Sequence, residues 1–224
     1  MRPPAVLLDL DGTLTDPRAG IVRCLRHALE RLERPCPDEA VLASYIGPPL
    51  RGTFQTLLAT SDRTLIERAM ELYRERFAEV GLYENEVYED IPAALAALGR
   101  AGHRLLVATS KPAVFAERIV GHFALDHHFA GVYGPTLDGR FDDKAELLAH
   151  LLATERLAAG DVVMVGDRGA DVAAARTNGV RSIGVLWGYG LREELLEAGA
   201  DVICSAPRDL PAAIAAAGRK GSGS

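Results

Sequence analysis

The chain has 224 residues, 48% of them hydrophobic and 25% charged, with a formal net charge of -6. That is enough apolar material for one large domain, or for a core domain carrying a modest insert. The acidic balance gives no electrostatic footing for nucleic acid or an anionic membrane surface. Three widely spaced cysteines, Cys24, Cys36 and Cys204, suggest neither a disulfide framework nor a zinc site. No apolar run approaches the roughly 20 residues of a membrane span. Met1-Arg2-Pro3-Pro4 leads straight into a strand-like run and does not read as a signal peptide. A cytoplasmic protein, monomeric or homodimeric, is expected.

In chain order, Ala5 to Leu10 is the first buried strand. From Gly20 to Val80 the pattern changes. Ile21, Leu25, Ala28, Leu29 and Leu32 recur at helical spacing, as do Leu65, Ile66, Ala69, Leu72, Tyr73 and Val80, with Gly81 a good helix stop. Pro35, Pro37, Gly47, Pro48 and Pro49 punctuate the stretch between them. Strands and helices then alternate. Helical patterns at Pro92–Leu98, Ala113–Phe123, Lys144–Leu152 and Asp171–Asn178 separate strong strands at Arg104–Thr109, Val162–Gly166 and Arg181–Val185; Gly131–Gly134 and Asp201–Cys204 are weaker strands. Continuous apolar strands between helices predict an α/β, doubly wound (Rossmann-like) parallel sheet covered on both faces. The core is expected at 1–15 and 84–217, a small helical insert at 16–83, and a flexible tail at 218–224.

The first strand runs into Asp9-Leu10-Asp11-Gly12-Thr13. Charged residues end a buried strand badly unless they are used, and ligands of open α/β sheets sit beyond the carboxyl ends of the strands. Asp9 and Asp11 lie two apart, and two like charges so close need a cation or a shared proton. The second strong strand ends in Ala108-Thr109-Ser110-Lys111, the third in Gly166-Asp167-Arg168-Gly169-Ala170-Asp171, and Lys144 opens the helix before the third. Carboxylates, a hydroxyl and a lysine converging there suit phosphoryl transfer. A carboxylate can attack phosphorus, magnesium takes oxygen ligands, and lysine and hydroxyl groups orient the phosphoryl oxygens.

In these residues the sequence resembles the haloacid-dehalogenase-like hydrolase superfamily. Asp9-x-Asp11-Gly12-Thr13, Thr109, Lys144 and Gly166-Asp167-x-x-x-Asp171 occur in the family's order, and the match covers nearly the whole chain. The resemblance implies a magnesium-dependent phosphomonoester hydrolase. Asp9 would be the nucleophile and Asp11 the acid–base partner. Thr109 and Lys144 would bind phosphoryl oxygens. Asp9, Asp167 and the backbone carbonyl of Asp11 would be metal ligands, supported by Asp171. The helices after Asp16 match the family's cap, which closes over the site and helps select substrate. Gly47-Pro48-Pro49-Leu50-Arg51 and Thr109-Ser110-Lys111-Pro112 resemble the phosphoglycolate-phosphatase-like branch, so Arg51 and Ser110 join the candidate substrate contacts. The expected partner is a small phosphate ester: phosphoglycolate, a nucleotide or a sugar phosphate.

Blander readings stand beside these. Asp11-Gly12 is also a turn pair, Asp171 also suits a helix cap, and Arg51 also suits a solvent-facing helix start. Lys111 could face substrate or be structural. His127-His128 reads as an exposed pair, and Trp187-Gly188-Tyr189-Gly190 as a structural loop. Two positions depart from the branch: Glu89-Asp90 stands where Pro-Gly is common, and Cys24 where serine often faces the site. A sugar phosphomutase would use the same aspartates, and a non-catalytic phosphate-binding domain would keep the fold without turnover.

Overall fold

The computed structural model describes residues 3–219. Strand β1 (Ala5–Leu8) and short strand β2 (Thr15–Asp16) precede helices α1 (Arg18–Arg31), α2 (Glu39–Ala43), α3 (Leu50–Leu57) and α4 (Arg63–Arg76). After short strand β3 (Glu86–Val87) the chain alternates: α5 (Ile91–Arg100), β4 (Leu105–Ala108), α6 (Ala113–His122), β5 (Val132–Tyr133), α7 (Lys144–Glu155), β6 (Val162–Gly166). Helix α8 (Gly169–Thr177), β7 (Arg181–Val185), α9 (Arg192–Ala198), β8 (Val202–Cys204) and α10 (Leu210–Arg219) complete it. Helix α10 takes in residues 218 and 219, where the tail was expected to begin; residues 220–224 lie outside the described residues.

The chain folds as two compact units, Met1–Thr15 with Val87–Ser224, and Asp16–Glu86. The second crossing falls at 86/87 instead of the expected 83/84. Glu84 is tied into the helical unit by ion pairs to Arg76 and Arg23.

The larger unit carries a six-stranded parallel sheet in the order β5-β4-β1-β6-β7-β8. Strand β1 lies between β4 and β6, with Leu8 opposite Val107 on one side and Val165 on the other. The connections diverge from this centre, so the crevice at the carboxyl end of β1 is the topological switch point where α/β sheets bind ligands. All four β1 side chains are buried, and burial of each leucine contributes about 2 kcal/mol. Leu7, Leu106 and Met164 share a face with Leu148 and Leu151 of α7 and Ala174 and Ala175 of α8. The regular strand stops at Leu8, two residues earlier than expected. The Asp9 N–H still donates to Val165 O at 2.9 Å, after which Leu14 and Thr15 N–H both return to Leu10 O and the chain turns.

In the helical unit, α1 buries Ile21, Cys24, Leu25, Ala28 and Leu29, and α4 buries Ile66, Ala69, Leu72 and Tyr73, the stripes read from helical spacing. Helix α4 does not run on to Gly81 in regular form. It passes into a π-helical turn, Phe77–Gly81. A Cβ at Gly81 would lie 2.4 Å from Cys24 Sγ, and Tyr73 stacks on Phe77 at 5.4 Å. Among the described residues no helix is long and apolar enough to cross a membrane.

Candidate active site

Four buried carboxyls and two buried ammoniums gather at the carboxyl ends of three adjacent strands. Asp9 and Asp11 follow β1, Lys111 follows β4, and Asp167 and Asp171 follow β6, while Lys144 is the first residue of α7. Each is at most 8% exposed. Lys144 Nζ donates to Asp9 Oδ1 at 2.9 Å and ion-pairs with Asp171. Lys111 Nζ lies 2.8 Å from Asp11 Oδ1 and 2.6 Å from Oδ2. Carboxylate oxygens of Asp9, Asp167 and Asp171 lie within 4.8 Å of one another.

Each residue is held by its local structure. At Gly12 the chain takes φ +82°, and a Cβ there would meet Asp167 Oδ2 at 2.2 Å, so only glycine lets the turn lie against that carboxylate. Asp171 Oδ2 accepts the Arg168 N–H at 3.0 Å, the capping role foreseen for it at the start of α8. The Asp143 side chain caps α7 by accepting from Ala145 and Glu146 N–H, which sets Lys144 at the helix start. Thr109 is buried; its N–H donates to Tyr133 O and its hydroxyl accepts the Lys111 N–H at 3.2 Å. Ser110 is half-buried beside it.

The electrostatics show a deficit of positive charge. Burial pushes Asp11 up, opposed by Lys111. Burial and the neighbouring Asp171 and Asp9 push Asp167 up to about 8. Asp171 is likewise raised by burial, with Lys144 acting against it. Burial works against the Lys144 ammonium, but Asp171 and Asp9 outweigh it and hold its pKa well above the usual lysine value. With all four carboxyls ionised, the cluster would be two positive charges short, the charge of one divalent cation. Among the described residues Asp167 Oδ1 is buried without a hydrogen-bond partner, while its Oδ2 accepts the Tyr189 N–H at 2.8 Å. An orphaned carboxylate oxygen in an all-oxygen donor set fits magnesium. Both Asp171 oxygens are already engaged, one by Lys144 and one by Arg168 N–H. Asp9, Asp167 and Asp171 are the side chains whose oxygens lie close enough together to hold such an ion.

Arg51 belongs to the helical unit, where its guanidinium ion-pairs with Glu67 at 2.6 Å. Cys24 is fully buried, with Arg76 Nη1 donating to its sulfur at 3.2 Å. The loop after β7 contributes more than its glycines suggested. Besides the Tyr189 N–H, Trp187 Nε1 donates to Thr13 O at 2.9 Å. A Cβ at Gly188 would meet Gly12 O at 2.2 Å and Asp167 at 2.4 Å. The Gly-x-Gly spacing was the available signal: two glycines bracketing a residue after a strand mark close backbone approach. The rings of His127 and His128 sit 3.9 Å apart, away from these residues in sequence, in the short turn Asp126–His128.

Comparison with known proteins identifies the family. The haloacid dehalogenase-like hydrolase family model matches residues 6–185. A 5'-nucleotidase of Pseudomonas aeruginosa is 50% identical over 87% of this chain and 88% of its own length. The tyrosine-protein kinase PtkA of Mycobacterium tuberculosis is 40% identical over 84% of this chain but only 64% of its own. A phosphoglycolate phosphatase of Colwellia psychrerythraea is 27% identical over 87% and 89%. The crystal structure of a predicted phosphatase from Clostridium acetobutylicum superposes with a TM-score of 0.92 at 36% identity, covering 96% of this chain and all of that one. With the family model spanning most of the sequence, the chain belongs to the haloacid dehalogenase-like hydrolases, on their phosphoglycolate-phosphatase-like branch.

Proposed function

We propose that this phosphatase is a cytoplasmic, magnesium-dependent enzyme that hydrolyses a small phosphate monoester through an aspartyl-phosphate on Asp9. The observation that carries the reading is the buried cluster itself: four carboxyls, two lysines and an orphaned Asp167 oxygen at one switch point. Asp9, Asp167 and the backbone carbonyl of Asp11 would hold magnesium, which when bound supplies positive charge to the phosphoryl oxygens. The protein's own groups do the rest. Asp9 forms a bond to phosphorus as the ester P–O bond breaks, and the departing oxygen takes a proton from Asp11. Asp11, now a carboxylate, takes a proton from water as the water oxygen bonds to phosphorus and the Asp9–phosphorus bond breaks. Lys144 and the Thr109 hydroxyl hold the phosphoryl oxygens, and Asp171 holds Lys144. None of the three cysteines is in a disulfide, which supports a reducing compartment.

Among small esters, a nucleoside 5'-monophosphate is the first choice, supported by the half-identical relative named a 5'-nucleotidase. Phosphoglycolate and sugar phosphates follow. The test is phosphate release across such a panel, with magnesium and with EDTA. Turnover is expected only with magnesium, and Asp9→Asn is expected to lower it at least about 10⁴-fold, as for loss of other nucleophiles. Activity that survives either Asp9→Asn or complete metal removal overturns the mechanism.

A further inference from the structure

Lys111 is the second buried cation of the cluster, and the steps above give it no part. It stands two residues beyond the phosphoryl-binding Thr109, yet its ammonium is directed at Asp11, within 2.8 Å of both carboxyl oxygens. Both partners are 8% exposed. In water such a pair would be worth little; buried, it restricts both side chains to one geometry. The backbone at Lys111 is equally constrained. Its N–H donates to Thr109 Oγ1 at 3.2 Å. Next to it, the Ala113 N–H donates to Pro135 O. A Cβ at Gly134 would lie 2.2 Å from Lys111 O, so the β5 end presses directly on this backbone and tolerates only glycine there. The edge strand thus fixes Lys111, and Lys111 fixes Asp11.

Resting on the aspartyl-phosphate reading above, we infer that Lys111 is the positioning residue of the acid–base step: its ammonium aims the Asp11 carboxyl at the leaving-group oxygen. The pairing suits both halves of the reaction. An ammonium donates to one carboxyl oxygen whether or not the other carries a proton. So Asp11 keeps its direction when it gives its proton to the departing oxygen, and again when it takes one from water. Lys144 has the other duty, facing Asp9 and Asp171. The two lysines therefore divide the work, one for the phosphoryl end and one for the leaving group.

The division has a signature that a structural or phosphate-binding role does not share. A good leaving group such as p-nitrophenolate departs without a proton, whereas an alkoxide needs one. With the magnesium-loaded enzyme, kcat/KM is measured over aryl and alkyl phosphate monoesters of rising leaving-group pKa. Lys111→Met is expected to lower kcat/KM less than about 10-fold for p-nitrophenyl phosphate and about 100-fold or more for alkyl esters, within the range of general acid catalysis. Lys111→Arg, which keeps a donor to the carboxyl, is expected to recover most of the alkyl-ester rate. An equal loss across the series, or none, overturns the inference while leaving the phosphatase reading intact. A wild-type enzyme that turns over no ester with magnesium overturns both. Because Lys111→Met leaves a buried carboxylate unpaired, a second comparison sets Asp11→Asn against Asp11→Asn/Lys111→Met, the double variant carrying neither charge of the pair. There the lysine is expected to matter less than about 2-fold. A loss as large as in the wild-type background shows that Lys111 acts independently of Asp11 and overturns the assignment.

Discussion

The two units use ion pairs in opposite ways. At the end of the sheet, Lys144 and Lys111 face carboxylates with every side chain almost wholly buried. In the helical unit, Glu84 receives Arg76 at 2.8 Å and Arg23 at 2.6 Å, with Glu84 and Arg76 about one-fifth exposed and Arg23 mostly so. Arg51–Glu67 is more open still. The same chemical bond therefore has two meanings. In the buried cluster it balances a charge deficit that polypeptide alone does not remove. In the helical unit it staples α1 and α4 to the chain that leaves them.

The sharpest way to break this contrast is Lys144→Met. Removing one partner of a buried network is expected to cost about 3–5 kcal/mol of stability, read by urea unfolding, because Asp9 and Asp171 are left facing each other. A cost under about 1 kcal/mol would place the buried cluster in the same class as the helical staples. Next is the response to metal. At magnesium concentrations about 100-fold above its Kd, the wild-type protein is expected to gain about 2.7 kcal/mol, measured as a shift in thermal unfolding. Asp167→Asn is expected to lose most of that gain while the Glu84 staple is untouched.

Smaller effects sharpen the other side. Glu84→Gln is expected to cost about 1 kcal/mol, the upper end for partly exposed pairs. Its pH dependence has a definite sign. The Arg76 hydrogen bond, with help from Arg23, holds the Glu84 carboxyl below the usual range against the effect of burial. The pair's contribution is therefore complete above the unfolded value near 4.5 and is lost as pH falls through the lowered folded value. Wild type and Glu84→Gln should converge in stability in acid and separate above it. Last comes Asp90, which caps α5 at φ +68° without a side-chain hydrogen bond. A glycine there would relieve left-handed strain, so Asp90→Gly is expected to stabilise by about 0.5 kcal/mol. No gain, or a loss, would mean the aspartate has a contact that outweighs its backbone.

What could be read from the sequence divides along similar lines. The alternating architecture was legible because buried parallel strands are short, continuous and apolar, and β1, β4, β6 and β7 each stand out this way. The carboxylates were legible because charge at the end of such a strand has no structural reason to be there. Asp90 was visible as a departure from Pro-Gly, and its left-handed backbone explains why glycine is favoured at that place. Side-chain pairing was not legible. Lys111 meets Asp11 across a separation of 100 residues, fixed by the β1–β4 register and the pressure of Gly134, neither of which leaves a local pattern. The surroundings of Cys24 were not legible either, because its neighbours Gly81 and Arg76 lie far along the chain.

The central place of β1 also sets a timetable. Val6 pairs with Leu105 and Ala5 with Val162, so the first strand made waits for partners about 100 and 157 residues later. At roughly 5–20 residues per second, β4 emerges about 5–20 s after Ala5–Leu8 and β6 about 8–30 s after it. Asp9, which follows this segment, gains its ion-pair partner Lys144 only after about two-thirds of the chain has been made.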